Sequence, residues 1–233
     1  MLKPLGRKSY GSIGHLPNSR LGPADHCVPI GAAKICCEKA RDKHDNIIVQ
    51  EKLDGSCTAV ALIDNNIHAL GRAGWPATTS RYKQHHFFAE WVRQNEDRFR
   101  KILIEGERIV GEWIAQAHGT IYVLNGLEPF VAFDIMREQT RIPYKEFIDR
   151  IGGIFQVPHL LGTGEPISVE KAMRIHDFLR YPCDQTEGVV YRVERHGKID
   201  FLAKWVRPDK IDGKYLPEIS GLEAIWNWYP KKE

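Results

Sequence analysis

The strongest constraint on the fold is a succession of short β-branched runs separated by tight turn signals. NIIVQEK (46–52) and CTAVALI (57–63) flank Leu53-Asp54-Gly55-Ser56, and an Asn65-Asn66 turn leads into a short third strand. RIVGEW (108–113), TIYVL (120–124) and FVAFDIM (130–136) read as further strands. EGVVYRVER (187–195) meets KIDFLAKWV (198–206) across His196-Gly197, a pair suited to the left-handed turn of a hairpin. Strands joined this closely pair antiparallel, because a parallel return needs a crossover of roughly a dozen residues or more. Helices are expected over 32–44, over 80–99 with Ser80 as N-cap, over 143–150 with Pro143 in the first turn, and over 168–179 from Ser168. The fold class is therefore α+β, with mainly antiparallel sheets flanked by helices rather than a doubly wound parallel sheet.

Of the 233 residues, 42% are hydrophobic and 27% charged, which is globular composition. No apolar run approaches the ~18 residues of a membrane span. The opening MLKPLGRKSYGS lacks the apolar core of a secretory signal. A cytoplasmic location without membrane contact is expected. Five cysteines with no C-x-x-C pair signal neither a disulfide framework nor a structural zinc site. Charge is uneven: the first 50 residues carry eight Lys/Arg against four acids, whereas the whole chain is only +3. Such an arm suits contact with phosphates, a solvated surface being the plainer meaning.

Lys52 stands at the exit of one strand and before a glycine turn, where its amine is presented at a fixed point. As a nucleophile it must be neutral, whereas a free lysine titrates near ~10.4. Glu112, Glu187 and Lys204 interrupt apolar strands, where a charge either faces solvent or converges with others on a ligand. Taken with Lys52, they favour convergence.

Ordered along the chain are Lys52-Leu53-Asp54-Gly55, Gly71-Arg72-Ala73-Gly74, Gly111-Glu112-Trp113, Phe130-Val131-Ala132-Phe133-Asp134-Ile135, Glu187-Gly188-Val189-Val190-Tyr191-Arg192 and Ala203-Lys204-Trp205-Val206-Arg207-Pro208. This series resembles the covalent nucleotidyltransferase superfamily of polynucleotide ligases and RNA capping enzymes. Glu51-Lys52, the Gly-Glu-Trp followed by His118-Gly119 and Tyr122, and the closing Lys-Trp-Val-Arg-Pro make it most similar to the ATP-dependent RNA ligases. The resemblance implies Lys52 as the nucleophile on the ATP α-phosphate, with Glu51, Asp54, Arg72, Glu112, Phe133 and Lys204 around the nucleotide. Phe133 would stack on adenine and Lys204 would touch the α-phosphate. Glu187 would hold Mg²⁺ or Mn²⁺. Lys204 and Arg72 would also lower the Lys52 pKa. AMP would pass to an RNA 5′-phosphate and a 3′-OH would seal the break, with end-healing left to a partner enzyme.

The last motif of relatives usually carries two lysines one residue apart, whereas Lys204 here stands alone, so Arg207 or Lys210 is the candidate replacement. Relatives often append an OB domain, and the stretch after Pro208 is too short for one. The domain expectation is an N-terminal basic arm and helix (1–45), a nucleotidyltransferase domain (46–208) and a short tail (209–233). Arg7, His15, Arg20, His26 and Arg207 are the candidates for pyrophosphate or RNA contact. The rival readings are an mRNA guanylyltransferase, a DNA nick-sealing ligase and a nucleic-acid-binding module with a degenerate nucleotide site.

Overall fold

The computed structural model describes residues 2–176 and 182–230. In chain order the elements are β1 (Gly14–His15), α1 (Ile30–Cys37), β2 (Asp45–Lys52), β3 (Ser56–Ile63), β4 (Asn66–Gly71), α2 (Lys83–Gln94), α3 (Glu96–Ile102), β5 (Glu107–Trp113), β6 (Phe130–Arg137), β7 (Thr140–Arg141), α4 (Tyr144–Ile151), β8 (Leu160–Gly164), α5 (Val169–His176), β9 (Gly188–Arg195), β10 (Lys198–Val206) and α6 (Pro217–Ser220). The strands form two five-stranded sheets, ordered β1-β10-β9-β2-β8 and β4-β3-β5-β6-β7. All neighbours pair antiparallel except β1 on β10. The α+β, antiparallel expectation is met. Among the described residues no helix is long and apolar enough to cross a membrane.

The hairpins form where turn residues accept a left-handed backbone. His196 and Gly197 both have positive φ between β9 and β10, and Asp64 and Asn65 do so between β3 and β4. The strands flanking Leu53-Asp54-Gly55, by contrast, are not a hairpin. β2 pairs with β9 and β8 in one sheet, β3 with β4 and β5 in the other, so the turn carries the chain between sheets.

Three other elements differ from the sequence reading. Residues 120–124 make only an isolated bridge, Tyr122 to Cys183, because side chains take their amides: Ile121 N donates to Asp184 Oδ1 and Tyr122 N to Asn227 Oδ1. The helix expected over 80–99 begins at Lys83 and breaks at Asn95, whose backbone leaves the helical region (φ −114°, ψ 18°). Ser80 is not its N-cap; its hydroxyl accepts from Tyr82 N and lies 2.6 Å from His85 Nδ1. The first helix ends at Cys37 rather than 44, where Arg41 N bonds the Asp45 carboxylate in a turn. Ser168 caps α5 by accepting from Lys171 N, and the expected continuation over 177–179 lies outside the described residues.

Each sheet buries its outer face under helices. Ala33 and Cys36 of α1 and Ala172 of α5 pack on Ile47, Val49, Val189 and Val193. Phe88, Trp91, Phe99 and Phe147 of α2, α3 and α4 pack on Val60, Ile109, Trp113 and Phe130. Strand alternation then leaves the opposite faces free to carry polar groups.

Candidate active site

Between those opposite faces lies a cavity of about 800 Å³. Glu51, Lys52, Asp54, Arg72, Glu112, Phe133, Glu187 and Lys204 all line it, drawn from both sheets and the turns beside them. Lys52 closes β2 at the point where the chain crosses over. Glycine is required at 55, because a Cβ there would sit 2.5 Å from the Trp113 carbonyl oxygen. Gly55 N donates to Glu112 Oε1 at 3.1 Å. Asp54 is fixed from two sides, its N–H donating to the Tyr122 hydroxyl (2.8 Å) and its Oδ2 accepting from Gly119 N (2.7 Å). These bonds account for Tyr122 and Gly119 lying behind the Gly-Glu-Trp motif. Glu51 Oε1 accepts from His159 N at 2.7 Å, tying β2 to the segment entering β8.

Lys52 Nζ lies 2.5 Å from Glu187 Oε2. The other Glu187 oxygen pairs with Lys210, whose Nζ is also 2.9 Å from Asp54 Oδ1. Lys210 is only 6% exposed although it belongs to the segment after the last motif. Of the two candidates for the missing lysine, Lys210 is the one inside the cavity. Arg207 is held outside it by Asp209 and the Thr186 carbonyl.

The electrostatics differ from expectation at Lys52. Burial works to lower the Lys52 pKa, but Glu187 and Glu112 outweigh it and hold the ammonium protonated well above its ordinary value. Burial pushes Glu112 up to about 7, with Lys52 partly opposing. Lys204 is lowered by burial and by Lys52. Asp54 is lowered although burial opposes it, because Lys210 stands beside it.

Phe133 is half-buried, with the Tyr10 ring edge-on at 5.3 Å. Tyr10 Oη donates to Asp134 Oδ2 at 2.5 Å, and the same carboxylate pairs with buried Arg192 and with Arg141. The sequence reading missed Tyr10, Asp134 and Arg192 as a support for the aromatic wall. Their signal was an apolar tyrosine within the basic arm and an acid and an arginine inside the quoted motifs 130–135 and 187–192.

The arm's candidates scatter. His15 is buried beneath Lys204, its Nε2 3.1 Å from Asp25 Oδ2, and Asp25 Oδ1 is 3.7 Å from Lys204 Nζ. Its pKa is lowered by burial and by Lys204. Arg20 clasps Asp212 of the C-terminal segment. His26 is exposed and lies against Gly14, and Arg7 lies on the turn at Gly74. None of the four lines the cavity.

A cation could be served by this donor set, since the Asp54 and Glu187 carboxylates already converge on one ammonium. Among the described residues no group of three or more His, Cys, Asp or Glu side chains is placed to hold a metal by itself. The set therefore suits a cation arriving on a polyphosphate.

The model of the RNA ligase family matches residues 45–206. A search of curated proteins returns no match. Among solved structures, an archaeal ATP-dependent RNA ligase is similar at 17% identity and a TM-score of 0.52, over 84% of this chain and 48% of that one. A variant of the Naegleria gruberi RNA ligase with ATP and Mn is similar at 16% identity and a TM-score of 0.50, over 85% of this chain and 60% of that one. The chain thus spans about half to three fifths of the length of these ligases, and the likeness is one of fold.

Proposed function

The chain belongs to the RNA ligase family, and from that premise we propose that it is an ATP-dependent RNA ligase acting through a lysyl-AMP intermediate on Lys52. The observation that carries the reading is the mostly buried Lys52 ammonium in a cavity shared by the two sheets, 2.5 Å from a carboxylate and lined also by Lys204 and Lys210. The rest of the machinery follows from where each group stands.

Attack by Lys52 Nζ on the α-phosphorus forms a P–N bond, breaks the P–O bond to pyrophosphate and releases one amine proton. Glu187 Oε2 is the acceptor already in hydrogen-bond contact with that amine. Lys204 faces the developing negative charge, and Phe133, backed by Tyr10, offers a flat surface for the base. Glu112 suits a ribose hydroxyl, and Arg72, Glu51 and Asp54 complete the nucleotide surround. A divalent cation, Mg²⁺ or Mn²⁺, held against Glu187 would neutralise phosphate charge. Lys210 keeps Asp54 and Glu187 in place. AMP then passes from Lys52 to an RNA 5′-phosphate, and a 3′-OH displaces it; the ends come from whatever enzyme heals the break. In this reading residues 46–208 are the nucleotidyltransferase unit, and the flanking segments 1–45 and 209–233 complete its cavity.

The test is incubation of the purified chain with α-labelled ATP and Mg²⁺, followed by addition of 5′-phosphorylated RNA. Acid-labile label on the protein that moves to the RNA end is the expected result. Absence of label with every NTP contradicts the proposal, and discharge onto nicked DNA alone would reassign the substrate.

A further inference from the structure

Three cations of the arm, Lys3, Arg7 and Lys8, lie in the stretch that runs beside the turn after β4, whose Arg72 and Trp75 line the cavity. Gly74 (φ +87°) lets the turn after β4 lie so close to the arm that a Cβ at 74 would be 2.0 Å from the Arg7 carbonyl oxygen. Ser9 N and Tyr10 N both donate to the Arg72 carbonyl, and Arg72 Nη2 donates back to Gly11 O. Arm and turn are thus one continuous surface. On it Trp75 remains 43% exposed while also lining the cavity, with Lys3 Nζ 4.9 Å above its ring.

The cations here lack the acidic partners found over much of the molecule. Arg72 bonds a backbone carbonyl, Lys3 lies over the Trp75 ring, and among the described residues no carboxylate forms an ion pair with either, or with Arg7 or Lys8. A cationic strip without acidic partners beside a half-exposed indole matches a single strand, whose phosphates release counterions and whose bases stack on aromatic surface.

Resting on the ligase reading, we propose that arm residues 3–8 and the Arg72–Trp75 turn form the docking surface for single-stranded RNA entering the cavity, with phosphates along Lys3, Arg7 and Lys8 and a base against Trp75. The strand would reach Lys52 over Arg72, which joins this surface to the nucleotide site.

The test is fluorescence polarisation of a labelled, 5′-phosphorylated single-stranded oligoribonucleotide against the full chain over a range of salt, with Lys52 adduct formation measured in parallel. Trp75→Ala and the double reversal Lys3→Glu/Lys8→Glu should each weaken RNA binding about tenfold or more, by analogy with stacking and phosphate contacts elsewhere. The reversal should also flatten the salt dependence and leave adduct formation with ATP unchanged. Should Trp75→Ala fail to fold, the double reversal on the surface of the arm decides alone. Lys171→Glu, on α5 outside the surface, should leave RNA binding unaltered. RNA affinity unchanged in the double reversal, or an equal loss in Lys171→Glu, would overturn the docking surface. Wild-type protein that binds RNA through this surface yet forms no adduct would sink the ligase reading alone.

Discussion

Lys52 rests as an ammonium among carboxylates, so the proposed attack on ATP must wait for the loss of a proton. With its pKa held above the ordinary lysine value, the neutral fraction grows about tenfold per pH unit through the neutral range. Single-turnover adduct formation at saturating ATP should therefore climb with pH from 6 to 9; a flat or falling profile would show that the proton is already gone. Glu112 gives a prediction of opposite sign for stability. Its folded pKa of about 7 lies above the ordinary 4.5, so its contribution is fully present below about pH 4.5 and is lost as pH rises through about 7. Glu112→Gln should stabilise the protein at pH 8 by roughly 1–3 kcal/mol in denaturant melts and change little at pH 4.5, while adduct formation is lost. Lys210→Ala leaves Asp54 and Glu187 facing each other without their shared ammonium. It should reduce adduct formation about tenfold or more, an effect of ~1.4 kcal/mol on the barrier, with partial recovery in Lys210→Arg. The motif residues Lys52, Glu112, Phe133, Glu187 and Lys204 could be named from sequence because charges or an aromatic at those strand positions recur in a known order. Lys210 could be offered only as one of two substitutes, since the path of the chain after Pro208 has no periodicity to read.

At the scale of elements, what was local in sequence was legible and what was long-range was not. The β9–β10 hairpin was readable because His196-Gly197 dictates its own turn. The Leu53-Asp54-Gly55 turn looked the same but separates two sheets, because β2 finds its partner in β9, far along the chain. Asn95 breaks a helix whose apolar spacing runs through it, a backbone event that the spacing does not register. The crossover itself is testable at Gly55. Gly55→Ala places a methyl against the Trp113 carbonyl and must push apart the two sheets or the Glu112 contact. It should lower the denaturant midpoint by an amount equivalent to about 1–3 kcal/mol and impair adduct formation together. Full activity with an unshifted midpoint would mean that the turn can relax.

For the molecule as a whole, the two ends of the chain complete what the sheets begin. The arm supplies β1 beside β10, the Asp25–Lys204 contact and Tyr10 behind Phe133, while the C-terminal segment brings Lys210 inside and Asp212 to meet Arg20. The arm's part was sensed from its charge, yet its cations are not in the cavity. Its contribution to the cavity wall comes from Tyr10, Gly11 and Ile13, which a charge count does not reveal. The sheets, arm and C-terminal segment converge on one amine. Peptide mass mapping of the protein after incubation with ATP and Mg²⁺ tests that convergence most directly. A single AMP phosphoramidate on Lys52, absent from Lys52→Ala, is the expected result; AMP carried by any other residue, or retained in Lys52→Ala, would contradict the lysyl-AMP mechanism.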